Sequence, residues 1–181
     1  MHGLLAALCL VFGLGLVGAS AAQGVELRSL EAVREEGALL LDFSVRPVLT
    51  RAVEDALQRG VPIHFVAEAT VYRTRWYWRD SRAARASRGW RLSYQPLTSA
   101  WRVSTGGLSQ SFDSLDGALS AVSRAAHWRI AEAAQIDPDS RHYVEFTWRL
   151  DTTQLPRPMQ IGLLGQAGWE LAVEQTLKVE P

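Results

Sequence analysis

Arg73, Arg75, Arg79, Arg82, Arg85, Arg88 and Arg91 are interleaved with Trp76, Tyr77, Trp78 and Trp90. Guanidinium planes stack on indole faces, worth ~0.5–1 kcal/mol at exposed sites. A ribbon of this kind suits an anionic surface: lipid head groups, polysaccharide or an acidic partner domain. The bland alternative is a solvated hairpin whose arginine stems shield its aromatics from water. The candidate interaction surface is Arg73, Arg75, Trp76, Trp78, Arg79, Arg82, Trp90 and Arg91.

Other chemistry is sparse. His64, His127 and His142 are scattered, with no His-x-x-x-His or similar metal spacing. His64 and Glu68 share a strand face, but four residues along a strand span ~13 Å. Gly107-Leu108-Ser109-Gln110-Ser111 lacks the last glycine of a hydrolase elbow, so Ser109 reads as a turn or strand residue. Asp42 and Asp151 read as strand-end carboxylates that satisfy nearby backbone groups. No catalytic, metal-ligating or cofactor-binding residue is assigned. A fallback enzymatic reading, an enzyme acting on an envelope polymer, requires a deep polar cleft lined by His142, Asp151 or Glu68.

The N-terminal segment sets the expected compartment. Met1–Ala22 contains no Lys, Arg, Asp or Glu, is apolar from Leu4 to Val17, and ends in Gly18-Ala19-Ser20-Ala21-Ala22. This pattern reads as a secretory signal peptide cleaved after Ala21 or Ala22. An apolar run of about 14 residues falls short of the ~20 that span a bilayer, although an uncleaved anchor facing the periplasm is the alternative. Cys9 lies inside that run, so the mature part has no cysteine. A disulfide framework, a thiolate zinc site and a thiol nucleophile are thereby excluded. Net charge is zero, so bulk charge points to no nucleic acid, and export disfavours it further. Lys178 is the single lysine, a bias that GC-rich coding explains as readily as function.

Residues 23–181 make one domain. Two-residue alternation dominates: Leu39, Leu41, Phe43 and Val45; Ile63, Phe65, Ala67, Ala69 and Val71; Val144, Phe146, Trp148 and Leu150; and Trp169, Leu171, Val173, Leu177 and Val179. The phase flips after Tyr72, which predicts a β-bulge near Tyr72–Thr74 or a strand changing sheets. Ser81–Gly89 reads as a polar turn with Arg82, Arg85 and Arg88 in solvent. Trp128–Ile136 reads as extended, and Leu155-Pro156-Arg157-Pro158 as a rigid connector. Trp101, Trp148 and Trp169 are in phase with apolar neighbours and read as core. Two helices are expected. One follows the N-cap candidate Thr50 and stops at Gly60-Pro62; the other begins at Asp113 or Ser114. Half-polar strands pair antiparallel, so the predicted fold is mainly β: an antiparallel β-sandwich of immunoglobulin-like architecture with two helices, the alternative being α+β.

The segments Arg75-Trp76-Tyr77-Trp78-Arg79-Asp80, Leu92-Ser93-Tyr94-Gln95-Pro96-Leu97-Thr98, Gln110-Ser111-Phe112-Asp113-Ser114-Leu115, Arg149-Leu150-Asp151 and Leu155-Pro156-Arg157-Pro158 occur in order, with Trp169 late in the chain. Together with the exported start they resemble DUF4390, a proteobacterial family of unknown function. The resemblance implies a small exported protein with no known catalytic residue, often encoded beside a nitrogen-regulation-type sensor histidine kinase. The expected function is a non-enzymatic periplasmic binding module. Its partner is another envelope protein, such as a sensor domain, or an anionic envelope surface. N-terminal sequencing of the exported protein is expected to begin at Ala22 or Gln23; an intact Met1 would establish the anchored form.

Overall fold

On β2 (Ala38–Pro47), Leu39, Leu41, Phe43 and Val45 point to one side and are buried, as their spacing predicts. β2 is the centre of a three-stranded antiparallel sheet, flanked by β1 (Val25–Glu35) and β7 (Arg124–Ala131). These elements come from a computed structural model that describes residues 24–75, 79–162 and 167–179. The second sheet holds six antiparallel strands in the order β6-β5-β4-β3-β8-β9. They are β3 (Ile63–Arg73), β4 (Ser81–Gln95), β5 (Ala100–Thr105), β6 (Leu108–Phe112), β8 (His142–Leu150) and β9 (Ala172–Val179). The inner faces of the two sheets enclose one core, so the expected antiparallel sandwich is what forms.

Aromatic side chains fill the space between the sheets. Phe43 meets Phe146 at 4.8 Å between ring centroids, and makes edge-to-face contacts with Trp90 at 6.3 Å and Trp128 at 6.2 Å. Trp148 is fully buried and stacks on Phe65 at 5.0 Å. Its indole N–H donates to the carbonyl of Val122 at 3.0 Å, which satisfies a buried donor and ties down the end of a helix.

Both expected helices are present. α1 (Arg51–Gln58) starts at Thr50, whose hydroxyl accepts from the Val53 amide, and buries Val53, Ala56 and Leu57. Gly60, at φ +82°, lets the chain leave it. α2 (Leu115–Val122) is capped by Ser114. A third, short helix α3 (Arg157–Gly162) replaces the expected rigid connector at Leu155–Pro158. Pro158 sits in its first turn, where no backbone donor is needed. Trp101 is only half-buried and packs on Tyr94; Trp148 and Trp169 are buried as expected.

Three further differences have local causes. Ser81–Gly89 is strand, not turn, because β4 runs its full 15 residues beside β3. Small Ala84 and Ala86 on its inner face allow close packing over a turn-like composition, and pairing overrides propensity. The predicted bulge lies between Val71 and Tyr72, with the extra residue, Ala83, on the partner strand. The extended stretch ends at Ala131 and is followed by a 3-10 turn at Ala133–Gln135. Trp148→Ala is expected to cost ~3–5 kcal/mol, since it leaves a cavity and orphans a carbonyl. Urea unfolding measures it, and a loss under ~1 kcal/mol would contradict the buried stack.

Candidate functional site

At the end where β3 leads into β4, a hairpin tip among the described residues, the side chains of Arg75, Arg79 and Arg82 are exposed. Asp80 shapes the tip: its Oδ1 accepts from the Arg75 backbone N–H and its Oδ2 from the Tyr143 hydroxyl, both at 3.1 Å. The Tyr143 ring stacks on Tyr72 at 5.1 Å. Burial, reinforced by the hydrogen bond to Asp80, pushes the Tyr143 hydroxyl up to about 12, so it stays a donor. Asp80 is therefore engaged with a backbone amide and a phenol. Among the described residues, neither Arg75 nor Arg79 nor Arg82 has an ion pair. A depression of about 550 Å³ beside the tip is lined by Thr74, Arg141, His142, Tyr143, Thr176 and Lys178, with Val179. Exposed Arg141 and Lys178 extend the positive surface.

The other sequence candidates go to different places. Trp76 and Trp78 lie outside the described residues. Trp90 is a correction: it is 5% exposed and packs on Phe43, because its parity on β4 points it into the sandwich. Arg73 also follows the inner parity but emerges at the end of the layers, where it pairs with Asp137 at 3.4 Å. Arg91 faces outward opposite His64, nine residues along β4 from Arg82, or about 30 Å away. The candidate surface is thus divided, with Arg75, Arg79 and Arg82 at one end of the sheet and Arg91 at the other.

Arg85 and Arg88, expected simply in solvent, are also engaged. Arg85 bonds Glu68 at 2.9 Å, and Glu68 lies 3.8 Å from Arg149, which in turn lies 3.6 Å from Asp151. Arg88 lies on the inner face with its guanidinium 5.7 Å from the centre of the Trp128 ring. The split follows from strand register, because Ser81–Gly89 is part of β4 and alternates faces.

The remaining polar residues serve the backbone or the core edge. Asp151 accepts from the Thr153 amide and hydroxyl, a local partner as expected, whereas Asp42 sits in the middle of β2 and accepts instead from the amide of His127, 85 residues away on β7. Ser109 lies on β6, its hydroxyl 2.7 Å from that of Ser104. Among the described residues no three His, Cys, Asp or Glu side chains converge as a metal site. No described helix is long and apolar enough to cross a membrane.

His142 is 3% exposed, and neither ring nitrogen has a hydrogen-bond partner among the described residues. Burial holds its pKa below the ordinary value against the opposing pull of the Ser140 backbone and the Asp137 charge, and the charges of Arg34 and Arg73 act with burial. Sequence spacing gave no sign of this group, since His142 simply occupies an inward strand position.

Fold and surface together define a two-sheet antiparallel β-sandwich carrying a basic hairpin tip. Residues 22–179 match the family described as a domain of unknown function, DUF4390, and the chain belongs to it. No curated protein and no solved structure matches the chain.

His142 generates a pH prediction. Its folded pKa is lowered, so below the ordinary value of 6.5 the unfolded chain takes the proton more readily and stability falls. His64 is shifted the same way and adds to the slope. Melting temperature is expected to drop between about pH 7.5 and about pH 5.5, and His142→Phe is expected to flatten that drop. An identical slope in the variant would show that His142 does not enter the fold neutral.

Proposed function

We propose that this protein is an exported, non-enzymatic binding module of the periplasm that contacts another envelope component through its hairpin tip. The apolar leader Met1–Ala22 supports export, and retention of that segment as an inner-membrane anchor is the alternative disposition. The observation that carries the reading is the tip itself. Asp80 spends both oxygens on the Arg75 amide and Tyr143, while Arg75, Arg79 and Arg82 stay exposed without ion pairs among the described residues. An exposed guanidinium with no ion pair keeps its planar fork of donors for carboxylate or phosphate. Arg141 and Lys178 widen the positive surface. The partner is an acidic envelope protein, such as a sensor domain, or an anionic envelope surface.

The charges act at the rim of such a contact, so association should weaken as salt rises. Arg75→Ala combined with Arg79→Ala is expected to lower partner capture, measured by crosslinking in intact cells, about tenfold. Both side chains are exposed, so the melting temperature should not change. Unchanged capture would remove the tip from the contact, and a parallel loss of melting temperature would leave it a structural role only.

A further inference from the structure

At the end of the six-stranded sheet opposite the tip, the outer face carries a cleft of about 300 Å³. Strand register assembles it: His64 on β3 faces Arg91 on β4, and Arg91 faces Ser104 on β5. The floor is open because position 89, two residues from Arg91 on the same face, is glycine. A Cβ there would meet nothing closer than the Phe65 carbonyl oxygen, at 3.9 Å. Glycine inside a strand weakens it and often marks a place where a ligand approaches the backbone. The wall beyond β5 is the two-residue turn Gly106-Gly107, with φ +53° and +84°, a conformation that glycine adopts readily and that leaves this wall without side chains. Asp151, on the turn that follows β8, closes the other side.

The polar groups of the cleft differ in how fully they are engaged. The Asp151 carboxylate accepts from the Thr153 hydroxyl at 2.6 Å and amide at 3.1 Å, and lies 3.6 Å from Arg149. Its charge is offset from outside the cleft. The Thr105 hydroxyl donates to the Gly89 carbonyl at 2.8 Å, and Ser104 is bonded to Ser109. Two groups remain. Arg91 has no ion pair among the described residues. His64 Nδ1 is sealed from solvent with no hydrogen-bond partner there, although the His64 backbone carbonyl is held by the Asp151 amide at 2.8 Å. Arg91 is exposed and is a donor only, so the group it can hold is an acceptor.

We propose that this cleft binds a small oxyanion, a carboxylate or phosphoryl group, with Arg91 as its bidentate partner, His64 beside it and Gly89 leaving the room it occupies. A planar guanidinium with no ion pair among the described residues suits such a group. The site lies about 30 Å along β4 from the hairpin tip and holds whether or not the tip engages a partner.

The test is a titration of the exported chain with inorganic phosphate and, separately, with acetate, against chloride at equal ionic strength. The readouts are the His64 imidazole NMR signals and the melting temperature. Binding of either anion is expected to move the His64 signals and raise the melting temperature, and the two arms show whether the site prefers phosphoryl or carboxylate. Arg91→Gln should weaken binding at least tenfold and Arg91→Lys less. Gly89→Val should abolish it by filling the floor, with the melting temperature in chloride held or raised because valine favours strands. Arg82→Gln and the Arg75→Ala, Arg79→Ala pair should bind as the parent does, which separates this site from the tip. Silent His64 signals in both arms, or equal binding by Gly89→Val, would overturn the proposal. The parent titration alone decides it if a variant does not fold.

Discussion

Phe43 is the contact on which the architecture turns. It leaves the centre strand of the small sheet and touches Phe146 and Trp90 of the large sheet, with Trp128 closing over it from β7. Two sheets with one wet face each are stable only when their dry faces meet. Phe43 meets three aromatic rings there. Once the layers are locked there, side-chain parity leaves little freedom. Every second residue of β3, β4 and β8 enters the core, and the residues between must face water or one another.

That parity governs the arginines. Position on the strand, more than chemical preference, decides whether a guanidinium is exposed, paired or covered. Arg88 is inward and settles on Trp128; Arg73 is inward at the rim and finds Asp137. Arg85 and Arg149 are outward and share Glu68 across β3, so part of the outer face is a crossed ladder of opposite charges. Such exposed pairs contribute little stability, of order 0–1 kcal/mol each. At the two ends of the sheet Arg75, Arg79 and Arg82, and Arg91 beside His64, have no such pair among the described residues.

Much of the fold was legible in the chain. The strands built on Leu39–Val45, Ile63–Val71 and Val144–Leu150 alternate cleanly because each has one dry face, and both helix starts were marked by Thr50 and Ser114. β1 escaped notice for a physical reason. A bulge between Leu27 and Ser29 inserts Arg28 and shifts the apolar phase from Val25 and Leu27 to Leu30 and Ala32, so no window shows a steady period. β4 was hidden by its own composition, since Ser, Arg, Ala and Gly look like turn residues until the pairing with β3 is seen. α3 was hidden by prolines, which are tolerated in a first turn.

Local period and composition are enough to fix the class of fold, the antiparallel pairing and the abundance of arginine beside tryptophan. Tertiary structure alone decided which arginines are free. Pairing places Glu68 between Arg85 and Arg149, and Asp137 beside Arg73, across separations of 17 to 81 residues that no local pattern encodes. It also took Trp90 out of the surface and set His64, Gly89 and Arg91 around one cleft. Ion pairs and clefts are properties of distance in space, and only strand register converts positions along the chain into such distances.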